Sequence, residues 1–300
     1  MTVATGIYGY TFTKPFDIAG MRCEPLYRVH RLASERGRDT KAFHLTGILS
    51  VLVPSFAAFR TCTERFYDLE VALTFCEQQR VVLCHAVEVR PGEDVCAMVL
   101  ADEVNEIQSA LPLELLVSDS LTRSKPRPTS GQCLQFDAFA PDTRRRFLDL
   151  VMGKLQDQSF QQATGFRSAF FRNTEMVKMG EVPIDVTYSL LFTGLELPAR
   201  KFLKPQCRVS LSDLLKSFLR PHGFDITDDE AQQVAQCRNA LFHQGELTAT
   251  YHPAVGGAPR SIRLTLPNVE ALFSDVLLKV LGFDDPQINW NRWRDRMPFQ

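Results

Sequence analysis

The segment Arg238-Asn-Ala-Leu-Phe-His243, closed by Gly245, puts a guanidinium, a carboxamide and an imidazole within one short stretch. These groups suit phosphate chemistry. Arg238 can hold non-bridging phosphate oxygens in a fixed fork and steady charge as it develops. A histidine in the last turn of a helix, at the negative end of the macrodipole, suits acid/base work near neutral pH. Asn239 can orient either the imidazole or the phosphate. The plainer reading of the same residues is a C-capping histidine beside a surface arginine. Spacing alone leaves both readings open, the plainer being the commoner.

The element that must carry these residues is well marked. Thr227 with Glu230 three residues on makes a capping box, Asp228 and Asp229 suit a positive helix N-terminus, and Gly245 supplies a left-handed stop. A helix from Asp228 to Gln244 is predicted, and its acidic start reads as capping rather than as a metal site. Val234, Cys237, Leu241 and, more loosely, Phe242 form its apolar face. Asn239 and His243, four apart, almost share a face, whereas Arg238 and His243 lie roughly 140° apart around the axis. Convergence of Arg238 with His243 is therefore more natural at an interface with a second copy.

Around this helix the periodicity predicts two halves in a chain of 300 residues. The fold class expected is α+β, a β-rich mixed N-terminal domain followed by an all-α bundle. Gly6–Phe16, Lys41–Val53, Arg80–Val89 and Val95–Ala101 read as strands, the last two joined as a hairpin through Pro91-Gly92-Glu93-Asp94. Ala42–Phe59, the longest apolar stretch, reads as a buried strand followed by a loop. Thr63–Gln79 reads as a helix with Phe66, Leu69, Ala72, Leu73 and Cys76 on its buried face. Residues 118–133, rich in Ser, Thr and Pro, read as a linker, placing the domains at 1–117 and 134–300. Beyond it, helices are expected over Asp142–Gln156, Gln158–Phe171, Ile184–Arg200, Leu211–Arg220 and Asn268–Leu281. Ile184–Arg200 is the most apolar helix of its half and belongs at the centre, which makes Glu196 near its end conspicuous. Arg144, Arg145 and Arg146 oppose the macrodipole of their helix and are candidates for an RNA-binding patch, a solvated face being the commoner explanation.

Composition narrows the class further. Apolar residues make up 45% of the chain and charged residues 23%, as in ordinary globular proteins, and a formal charge of −1 advertises no general polyanion binding. The first residues lack the basic start and apolar core of an export signal, so a cytoplasmic location is expected, and no stretch suits a membrane span. The 8 cysteines include no Cys-x-x-Cys pair and read as buried thiols. Cys84-His85 makes a poor dyad, since neighbours in a strand point to opposite faces. Trp290, Trp293, Arg292, Arg294 and Arg296 form a basic aromatic tail that either stacks on RNA or docks on the protein itself. Gly-x-Ser-x-Gly, Gly-x4-Gly-Lys-Ser/Thr and His-Glu-x-x-His motifs are absent.

Arg238 to His243, with a polar residue directly after the arginine, resembles the Arg-x4-6-His motif of the HEPN superfamily. The context resembles its Apea-like branch, in which an apolar helix ending in a leucine–glutamate pair, here Leu195-Glu196, precedes the motif helix. The resemblance covers roughly Asp142 to Phe283 and does not extend to the N-terminal half. It implies a helical bundle that forms a homodimer with a composite site. It further implies a metal-independent endoribonuclease, with no cofactor, that leaves a 2′,3′-cyclic phosphate and a 5′-hydroxyl. Arg238 and His243 would be catalytic, Asn239 a polar helper, and Glu196 a supporting residue that orients Arg238. RNA is the implied substrate, phage defence or a toxin system the implied setting. The N-terminal half would be a sensing or substrate-selecting module that meets a trigger molecule or protein. The alternative is a non-catalytic HEPN module that binds RNA, nucleotide or a partner protein.

Overall fold

The computed structural model describes residues 1–10, 12, 14–25, 45–78, 80–83, 86–99, 134, 141–178, 183–203, 209–253, 257–264 and 266–295. The expected linker 118–133, Cys84-His85 and Arg296 lie outside them.

Short runs rich in β-branched residues build an antiparallel sheet around β1 (Thr2–Tyr8). Along one edge β1 pairs with β4 (Leu45–Leu52), which pairs with β3 (Met21–Pro25), which pairs with β2 (Phe16–Ile18). Along its other edge β1 pairs with β5 (Val82–Leu83) and β6 (Val87–Val89). Val3, Ala4, Thr5 and Ile7 are all buried, so both faces of the central strand are covered. The strand expected over Gly6–Phe16 thus lies earlier in the chain. It ends where Gly9 takes a φ of 82°, and Tyr10 and Phe12 leave the ladder to pack against Phe16.

Helix α1 (Phe56–Glu77) begins a full two turns ahead of the expected Thr63, over residues read as loop. Ser55 accounts for this: its Oγ accepts from the Ala58 N–H at 3.3 Å and caps the first turn. All of the expected apolar face is buried, and so are Val71 and Phe75. Val95–Ala101, expected as a strand, is helical over its described residues 95–99. Asp94 acts there as an N-cap, accepting from the N–H groups of Cys96 and Ala97 at 2.8 and 3.0 Å, so no hairpin forms. This turn packs Val99 against Ala4, Ile48 and Val89 on one face of the sheet.

Helix α2 (Pro141–Gln156) matches the expected Asp142–Gln156. The described residues up to Gly153 form one compact unit and those from Lys154 onward another, so the division falls inside this helix rather than ahead of it. Arg144 and Phe147 explain the assignment: Phe147 stacks on Phe75 with ring centroids 5.2 Å apart, and Arg144 pairs with Glu77 at 2.7 Å.

The second unit comprises α3 (Gln158–Thr164), α4 (Phe166–Lys178), α5 (Ile184–Leu203), α6 (Leu211–Leu219), α7 (Asp228–Gln244) and α8 (Leu266–Leu281). A short helix, α9 (Arg292–Asp295), follows. The single helix expected over Gln158–Phe171 is two, parted at Gly165 with a φ of 64°. A two-stranded ladder of β7 (Ala249–Tyr251) and β8 (Arg260–Ile262) follows α7, so this half is not purely helical. As its apolar sequence predicts, α5 is central and touches α3, α4, α6, α7 and α8. A Cβ at Gly194 would overlap the ring of Phe273 on α8, which sets how closely these two helices approach. Among the described residues no helix is long and apolar enough to cross a membrane.

Candidate functional site

Helix α7 has the predicted bounds and both predicted ends. Thr227 Oγ1 accepts from the Glu230 N–H at 3.1 Å while Glu230 Oε2 accepts from the Thr227 N–H at 2.8 Å, completing the capping box. Gly245 closes the helix with a φ of 71°. Val234, Cys237 and Leu241 are buried as expected, and burial raises the Cys237 thiol pKa. Buried thiols of this kind resist ionisation and pack as small hydrophobes; burial pushes Cys23 up to about 12. Among the described residues no three His, Cys, Asp or Glu side chains gather as a metal site.

Arg238 projects from α7 onto Glu196 of α5. Its Nε donates to Glu196 Oε1 at 2.6 Å and its Nη2 to Oε2 at 3.4 Å. Nη1 donates to Asn239 Oδ1 at 3.3 Å. The ring of Phe242, one turn on, lies beneath the guanidinium, with Cζ 4.6 Å from its centroid. Three groups thus fix the orientation of one cation. Glu196 itself is nearly buried at the surface of α5, near Pro198, whose missing N–H cannot complete the helical bond to Gly194. It also accepts from a second arginine: Arg200 Nε and Nη2 both donate to Oε2, at 3.3 and 3.0 Å.

Of the predicted constellation, Arg238, Asn239 and Glu196 come together and His243 does not join them. His243 is exposed in the last turn of α7, and it makes no hydrogen bond, ion pair or ring contact among the described residues. The angular separation along the helix accounts for this, and Phe242, four residues from Arg238, takes the position over the guanidinium. Phe242 therefore departs from the loosely expected apolar face: it is 40% exposed. Arg200 escaped the sequence reading although its spacing of four from Glu196 was a usable signal.

Of the arginine triplet on α2, a candidate RNA-binding patch, the structure takes Arg144 into the core and leaves the other two at the surface. Arg144 is fully buried, donates to Glu77 Oε1 and lies over the Tyr10 ring. Arg145 donates to Asp149 at 2.9 Å and lies over Phe16, and Arg146 is exposed. The reason is helical phase: consecutive residues face three different directions, and the first of them meets the core. The aromatic tail is docked on its own unit over its described part. Arg292 pairs with buried Asp275 at 2.7 Å, Trp293 is buried, and Lys279 lies over Trp290 at 3.7 Å. Arg294 clamps Asp225 and Glu230, so the tail braces the capped end of α7.

Comparison with known proteins finds no matching family model, no matching curated protein and no matching solved structure.

Proposed function

We propose that the second unit is a HEPN-type, metal-independent endoribonuclease that works as a homodimer. The observation that carries this reading is the contrast within one helix. Arg238 is oriented by Glu196, Asn239 and Phe242, while His243, just past it in the last turn, is exposed and unpartnered among the described residues. A site completed by the motif of a second copy gives that histidine a task. In the reaction the 2′-hydroxyl of the RNA attacks the adjacent phosphorus and loses its proton to a base. The P–O5′ bond breaks as the 5′-oxygen takes a proton, leaving a 2′,3′-cyclic phosphate and a 5′-hydroxyl. Arg238 steadies the charge on the non-bridging oxygens, His243 moves a proton, Asn239 orients one of these partners, and Glu196 positions Arg238. The setting would be phage defence or a toxin system, with a trigger at the N-terminal unit raising the activity above its basal level.

Incubation of the purified chain and its His243→Ala variant with structured RNA in excess EDTA tests the reading. Cuts bearing cyclic phosphate ends are expected from the wild type, slowed by about 100-fold or more in the variant. Equal cutting by the variant removes His243 from the site. The absence of any contact between Arg238 and His243 within one chain favours a second reading, a HEPN module that binds RNA, nucleotide or a partner without cutting. In that case Arg238→Ala weakens RNA binding although the wild type leaves the RNA intact.

A further inference from the structure

The sharing of Glu196 is unequal. Arg238 spans both carboxylate oxygens, also bonds Asn239, and its side chain is only 20% exposed. Arg200 directs its Nε and Nη2 to the single oxygen Oε2, and its side chain is 52% exposed. A guanidinium carries five N–H donors, and Arg200 Nη1 bonds nothing among the described residues. Among the described residues, two cations on one carboxylate leave a positive charge uncompensated, and the Nη2 atoms of both converge on the same oxygen. Beside them Phe242 keeps part of its surface open to solvent. An exposed ion pair of this kind is weak and exchanges partners readily, whereas a phosphate oxygen accepts from guanidinium at least as well as a carboxylate does.

We infer that Arg200 is a second phosphate-binding residue of this site: single-stranded RNA draws it from Glu196 onto a backbone phosphate next to the one held by Arg238. The inference rests on the endoribonuclease reading for its substrate, and it deepens that reading by requiring at least two consecutive phosphates. Phe242 offers its open side to a base of the same strand, which favours unpaired RNA over duplex.

Binding of a fluorescent 2′-O-methyl RNA of about ten nucleotides, which cannot be cleaved through its 2′-oxygen, tests this apart from catalysis. Anisotropy is followed across a salt series for the full-length wild type, Arg200→Ala, Arg200→Lys and Lys201→Ala. Arg200→Ala is expected to weaken binding about tenfold and to lower the slope of log affinity against log salt by about 0.7, the value for one lost phosphate contact. Arg200→Lys keeps most of the slope, and Lys201→Ala, which removes the same charge one residue away, keeps slope and affinity. Failure of the wild type to bind the strand, an unchanged slope in Arg200→Ala, or an equal loss in Lys201→Ala overturns the inference. Binding as expected, combined with no cutting of the all-ribose strand in EDTA, supports the role of Arg200 and overturns the nuclease reading alone.

Discussion

The arginine–glutamate pairs of the two units have nearly the same contact distance and opposite surroundings. Arg144 donates to Glu77 at 2.7 Å with side chains 1% and 4% exposed; Arg238 donates to Glu196 at 2.6 Å with side chains 20% and 11% exposed. The first pair is roofed by Tyr10 and the core of its unit, and burial strengthens the mutual dependence of its partners. The second is bordered by exposed Asn239 and Phe242, and its carboxylate has another cation in reserve. Distance therefore says little about role. What separates a brace from a binding site is whether one partner can leave without stranding the other in a dry interior.

The largest effect expected from this contrast is on the buried pair. Arg144→Leu removes the guanidinium from a buried ion pair and is expected to cost about 3 kcal/mol or more, read as a lowered urea midpoint of the first unit. A cost near zero would show that the burial of this pair is unimportant. Arg238→Leu is expected to change stability by at most about 1 kcal/mol, since Glu196 keeps Arg200 and access to water, while cleavage and RNA affinity fall. Equal destabilisation by the two substitutions would erase the distinction and make the Arg238 pair a structural brace. Smallest is the effect at a partly exposed carboxylate. Asp157, the N-cap of α3, is held down to about 2, first by the hydrogen bond from Ser159 and then by that from the Phe160 N–H. Because the folded form favours the carboxylate, its contribution is complete above the ordinary value of 3.8 and fades as the pH falls toward about 2. An NMR titration of α3 should follow that window, and Asp157→Asn should abolish it.

Local signals carried α7 from end to end, because a capping box and a left-handed glycine act within four residues of the groups they satisfy. The centrality of α5 was legible for a related reason: a helix that is apolar over most of its surface has to be covered. Elsewhere the same capping signals compete with apolar patterning. Ser55 and Asp94 are ordinary caps, yet the apolar residues after them read as loop and strand. Nothing near Arg144 in the chain announces Glu77, which is 67 residues away and which turned a candidate RNA contact into part of a core.

The sequence alone determined which helix bears the candidate chemistry, where it starts and stops, and that Arg238 and His243 diverge around its axis. Those outcomes depend on backbone geometry and on bonds between near neighbours. Only the tertiary structure decided that Arg238 would be held by Glu196, that Arg200 would share that carboxylate, that Phe242 would stay open, and that Arg144 and Arg292 would be lost to the interior. Desolvation is set by elements remote in the chain, and it is desolvation that makes Arg144 a brace and leaves Arg200 at the surface.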